Sequence, residues 1–149
     1  MGCDIHLFAE TRVDGAWVSA DTWAPDEDAP WLEGVPRDDR LYRHRSYILF
    51  AALANVRNYH DVVTPIAEPR GLPDDCDPRV RARSEYWAQD GHSHSWFTLS
   101  ELKAYDWEAL KRADAFGFVD MLSKWDSLML RLSAMGAPDD VRIVFWFDN

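Results

Sequence analysis

A chain of 149 residues, 47% apolar and carrying eight Trp, seven Phe and five Tyr, has the size and core material of one globular domain, spanning 1–149, and not the make-up of a disordered segment. No apolar run approaches the ~20 residues of a membrane span. The net charge of −10 disfavours long nucleic acid as a partner, because phosphates would be repelled overall. The acid is uneven: residues 1–40 hold ten carboxylates against three arginines, whereas 41–95 hold seven of each, which leaves room for a small anion in the middle segment. Cys3 and Cys76 form neither a disulfide framework nor a Cys-x-x-Cys pair, and Asp4 and His6 stand where the apolar core of a secretion signal would lie. A cytoplasmic setting is therefore expected.

Residues 1–10 alternate as a half-buried strand, with Ile5, Leu7 and Ala9 on one side and Asp4, His6, Phe8 and Glu10 on the other. Asp14-Gly15 tolerates the positive φ of a hairpin turn and leads into a second strand at 16–19. From 21 to 40 the pattern dissolves into Trp, Pro and acid, which predicts a long functional loop pinned to the body by Trp23 and Trp31. A helix is expected over 46–56, ending at Asn58 as a left-handed cap. The proline-rich stretch 64–73 reads as a loop. Asp77-Pro78 reads as the N-cap and first turn of a helix to about Ala88, with Arg79 and Arg83 sharing a solvated face. Residues 90–95 read as a loop, and Thr98 with Glu101 has capping-box spacing for a helix through Tyr105.

A short helix over 106–115 and a long one over 119–135 follow. In the long helix Met121, Leu122, Trp125, Leu128, Met129, Leu132 and Met135 form one apolar stripe that Gly136 and Pro138 terminate. The β-branched and aromatic run 141–148 closes the chain as a strand beside the N-terminal hairpin. The fold class expected is α+β: a small antiparallel sheet, built from the N-terminal hairpin and the C-terminal strand, with several helices packed on one side. Its exposed edge leaves a homodimer open.

Two groups of polar residues stand out. Asp4, His6, Asp90, His92 and His94 are the ligand types that Zn, Mn or Fe prefer, and a divalent metal held by them could activate water against a phosphoester. The plainer reading makes His6 a hydrogen-bonded, partly buried residue and gives Asp90 and Ser95 the task of bracing the next helix. Cys3 could join as a ligand or nucleophile, although alternation places it on the core side. The helix end at Arg57-Asn58 and the loop at Arg70-Gly71 offer guanidinium and backbone donors suited to a carboxylate or phosphate. A ligand site drawn from Asp4, His6, Arg57, Asn58, Asp90, His92 and Ser95 is the expectation, and the acidic, Trp-bearing loop could dock a base or a protein.

The opening string Met-Gly-Cys-Asp-Ile-His, Leu49-Phe50-Ala51 with Val56-Arg57-Asn58, Arg70-Gly71-Leu72-Pro73, Asp90-Gly91-His92-Ser93 and the closing Arg142-Ile-Val-Phe-Trp-Phe-Asp-Asn149 together resemble a group of small proteins encoded by tailed bacteriophages and prophages. That resemblance implies an accessory protein of the bacterial host cytoplasm that binds a small anionic, nucleotide-like ligand or a host protein and interferes with a host or antiviral-defence process. Asp4-Ile5-His6, Gly91-His92-Ser93-His94 and the distorted Asn58-Tyr59-His60-Asp61 bear a weaker similarity to the motifs of calcineurin-like metallophosphoesterases, which implies the alternative of a metal-dependent hydrolase. The Gly-Asp-x-x-Asp motif of those enzymes has no counterpart here.

Overall fold

The computed structural model describes residues 2–113 and 119–149. The protein is α+β. β1 (Asp4–Val13) and β2 (Ala16–Ser19) form the expected hairpin around Asp14-Gly15, both at positive φ. After the small β3–β4 hairpin (Ala24–Pro25 with Glu33–Gly34) come α1 (Tyr47–Ala54) and α2 (Pro78–Trp87). Then β5 (Gly91–Thr98) leads into α3 (Leu99–Ala104), α4 (Trp107–Ala113), α5 (Val119–Ser133) and β6 (Val141–Asp148). The sheet is antiparallel throughout, in the order β2-β1-β6-β5, so the first and last strands lie side by side at its centre, with Ile5 opposite Phe147 and Leu7 opposite Phe145.

Residues 141–147 are buried without exception, and a strand with no exposed face needs cover on both sides. One face carries Ile5, Leu7, Ala9, Ile143, Phe145 and Phe147 against Leu49, Phe50 and Leu53 of α1, Leu102 of α3, and Leu122, Trp125, Leu128 and Leu132 of α5. Each such side chain contributes about 1.5–3 kcal/mol by leaving water. The other face is not bare. Phe8, Val144 and Trp146 meet Val80 of α2 together with Val35, Trp23 and Trp87. The expectation of helices on one side is corrected accordingly: α2 and the 21–40 segment cover the second face, because β6 is apolar on both.

Three further expectations change. Residues 91–95 belong to a strand, since β6 offers its edge to β5 and even Gly, His and Ser pair when such an edge is available; a bulge between His92 and Ser95 absorbs the misfit. The 21–40 segment is less irregular than its composition suggests, and of its two pins only Trp23 holds, stacked at 5.3 Å on Phe8, while Trp31 is 80% exposed. The stripe of α5 is confirmed at Leu122, Trp125, Leu128 and Leu132, whereas the side chain of Met121 and residues 114 and 115 of the expected 106–115 helix lie outside the described residues. No helix among the described residues is long and apolar enough to cross a membrane.

Candidate functional site

α1 begins at Ser46, whose hydroxyl accepts from Leu49 N–H, and runs apolar until Asn55 turns left-handed (φ 59°) and donates its backbone N–H to Ala51 O, while Val56 N–H returns to Phe50 O. The cap is thus Asn55, three residues before the Asn58 expected from the sequence. Val56 tucks into the core, and Arg57 turns left-handed again (φ 56°). Its guanidinium lies 5.5 Å over the Tyr47 ring and donates to Tyr59 Oη at 3.0 Å. Asn58 is a brace: its amide donates to Asn55 Oδ1 and Val63 O, both at 2.7 Å, and its carbonyl accepts from Val63 N–H. That knot closes the 58–63 loop on itself.

The unwound end of α1 forms one wall of an open cleft of about 410 Å³. Ala54–Arg57, Glu68-Pro69, His92-Ser93 and Asn149 line it, so the polar groups that converge are Asn55, Arg57, Glu68, His92, Ser93 and Asn149. Ser93 supplies the bulge residue of β5 at φ 55°, making three cleft residues with left-handed backbone and a side chain. Each such residue costs on the order of 1 kcal/mol (Asn less), and strain of this kind concentrates where a fold holds a site in place. His92 stacks on Phe147, while its Nδ1 and Nε2 lie 3.0 Å from Ser93 Oγ and 3.2 Å from Asn149 Oδ1. Asn55 Nδ2 reaches Glu68 Oε1 at 3.5 Å. Behind the wall lies Cys3, fully buried, its backbone N–H donating to Tyr47 Oη; burial pushes its thiol above the ordinary value, and the nearby Arg57 pulls the other way. A thiol so placed is core, not nucleophile.

The expected ligand and metal residues are divided by the sheet. Arg57 and His92 line the cleft, whereas Asn58 lies outside its lining and only braces the loop behind Arg57. His94 stacks at 5.7 Å on Trp146, and because Trp146 and Phe147 are consecutive in β6 they point to opposite faces, taking His94 and His92 apart. His6, on β1, stacks on Trp146 from the other side and touches Trp87 at 4.5 Å. Its Nε2 lies 2.7 Å from Asp148 Oδ2, a diagonal neighbour across the β1–β6 ladder; burial lowers the imidazole pKa and the carboxylate offsets only part of that. His94 Nε2 lies 3.0 Å from Ser84 Oγ on α2.

Asp4 is claimed by Arg45, with both carboxylate oxygens bonded at 2.9–3.0 Å, and that pairing holds its carboxyl below the usual range. Asp90 sits exposed on the short turn that precedes β5. Ser95 is buried, its hydroxyl accepting from Arg70 N–H. Arg70 is occupied too, forked onto Glu101 and packed on Trp96 and Phe97, so the 70–71 loop presents no guanidinium to an anion. Among the described residues no three His, Cys, Asp or Glu side chains gather as a metal set.

Sequence reasoning missed Asn55, Glu68, Ser93 and Asn149 at the cleft and Asp148 beside His6. Asp148 was within reach of inference, since pairing the first strand antiparallel to the last sets it diagonally from His6. The others meet only through tertiary packing. Compared with known proteins, the chain matches no family model, no curated protein and no solved structure.

Proposed function

We propose that the protein is a binding protein whose cleft takes a small anionic, nucleotide-like ligand. The observation that carries this reading is the volume of about 410 Å³ walled by Arg57, His92, two amides and a hydroxyl. That volume lies within the range of small-molecule sites, and a lining that is mostly polar suits a charged ligand better than an apolar one. A guanidinium beside amide donors suits a phosphate. Glu68 adds a carboxylate that can accept from a base amino group or a ribose hydroxyl and whose charge opposes a phosphate placed directly against it, which favours a nucleotide spanning the cleft over the bare ion. Binding is favoured over hydrolysis because Asp4, His6, Asp90, His92 and His94 are dispersed among different partners and both sheet faces. In the phage setting suggested by the opening and closing strings, holding such a ligand would deny it to a host or antiviral-defence process.

The test is a titration with adenosine monophosphate and with inorganic phosphate, followed by backbone amide NMR. Adenosine monophosphate is expected to shift residues 55–58 and 92–93 saturably, and Arg57→Ala to weaken it about tenfold or more, as loss of a charge-assisted contact does. Absence of saturable shifts, or an unchanged affinity in Arg57→Ala, overturns the reading.

A further inference from the structure

The β3–β4 hairpin presents an aromatic side chain in a way a folded chain seldom leaves unused. Trp31 is 80% exposed, the most exposed of the large apolar side chains described. Flexibility does not explain it, because the loop that carries it is braced at every turn. Asp26 Oδ1 accepts from Asp28 N–H at 2.8 Å and Ala29 N–H at 3.0 Å, while Asp26 Oδ2 pairs at 3.0 Å with Arg83 on α2. Ala29 is fully buried. Leu32 N–H returns to Ala29 O at 2.8 Å, closing a β-turn with Pro30 at its second position and Trp31 at its third, and Asp26 N–H closes the outer ring on Leu32 O. The proline fixes its own φ, so the turn is stiff before any partner arrives.

A rigid, solvent-facing indole is the usual anchor of a protein interface, since it buries much area at little entropic cost. Its neighbours give the partner's sign. Glu27 and Asp28 on the loop before it and Glu33 after it are exposed, and among the described residues Glu27 and Asp28 enter no ion pair. We propose that this hairpin is a docking element for a protein with a basic surface, the indole entering an apolar socket rimmed by Arg or Lys and stacking against a guanidinium. Arg83 and Arg40 face Asp26 at the base of the hairpin and Arg79 faces Glu33, so the uncompensated charge beside the indole is that of Glu27 and Asp28, which favours a cationic protein over nucleic acid or an anionic membrane. The hairpin lies outside the cleft lining, and the inference stands whether or not the cleft binds a nucleotide.

The experiment uses the whole chain labelled with 5-fluorotryptophan, the Trp31 signal being assigned by Trp31→Phe. The probes are a synthetic Arg/Leu-rich peptide, its Glu/Leu counterpart and an oligothymidylate. The Arg/Leu peptide is expected to shift the Trp31 fluorine signal saturably and to weaken with salt. Affinity should fall about tenfold in Trp31→Ala and in the double variant Glu27→Lys, Asp28→Lys, both with an unchanged thermal midpoint. No shift at Trp31, equal affinity in Trp31→Ala, or preference for the oligothymidylate overturns the proposal.

Discussion

Asp21 sits in an environment that a carboxylate ordinarily avoids. Its Oδ2 accepts from Ala9 N–H and Ser19 Oγ–H, yet Oδ1 is buried without a partner among the described residues, and burial raises the pKa to about 6. Its folded-state value lies above the ordinary 3.8, so the folded protein holds the proton more tightly than the unfolded chain, and stability is lost as pH rises from about 4 to about 6. The loss amounts to about 2–3 kcal/mol. Asp21→Asn keeps an acceptor for Ala9 and Ser19 and sheds the charge; urea unfolding at neutral pH should show it about 1–2 kcal/mol more stable than wild type, with the gap closing below pH ~4.

Glu10 and Arg142, both buried, make the opposite case. Arg142 Nε donates to Glu10 Oε1 at 2.7 Å, Asp77 N–H satisfies Glu10 Oε2, and the guanidinium packs 4.1 Å from Trp17. Arg142→Ala strands the carboxylate and should cost about 3–5 kcal/mol by the same measurement, whereas replacing both residues by apolar ones should cost much less. Neither residue announces this in the sequence. Alternation shows that Glu10 shares the face of Phe8, but only the pairing of strands 132 positions apart brings Arg142 to it.

Among the elements, those whose ends are written in local chemistry were legible. The Asp77-Pro78 start of α2 is as expected, with Asp77 accepting from Arg79 N–H, and the capping box of Thr98 and Glu101 is complete. Thr98→Ala should lower stability by about 1 kcal/mol. The end of α1 was misplaced because two asparagines compete for it. Either tolerates a left-handed backbone, and the choice of Asn55 is made by Asn58 bonding forward to Val63, a contact no local pattern encodes. β5 was missed for a similar reason: its residues are poor strand formers, recruited by a neighbour from the far end of the chain. The α1 terminus also separates folding from binding. Asn55→Gly suits φ 59° at least as well as asparagine and should leave stability within about 0.5 kcal/mol. It removes an amide from the cleft, so adenosine monophosphate affinity should fall while the unfolding curve stays in place.

At the scale of the molecule, the sheet's outer edges are treated differently. The edge of β5 is partly closed by Gly71 N–H bonding His94 O and by Arg70 N–H on Ser95, while β2 is only four residues long, a short edge that gives another chain little to pair with. The two-sided burial of β6 explains why so apolar a run, legible as a strand, implied more cover than one layer of helices. The central pairing of β1 with β6 has a consequence in time. The ribosome releases β6 long after β1, so until then β1 has its hairpin partner β2 on one side and nothing on the other. Neither core can close until β6 has cleared the exit tunnel. Stalled nascent chains ending at residue 140 should therefore remain protease-sensitive, and chains that continue through Asn149 on a long linker should become resistant in a single step, with slow refolding in vitro as the counterpart of such distant pairing. Two strands far apart in the sequence meet in the middle of this fold, and until they do it is not yet a molecule with an inside.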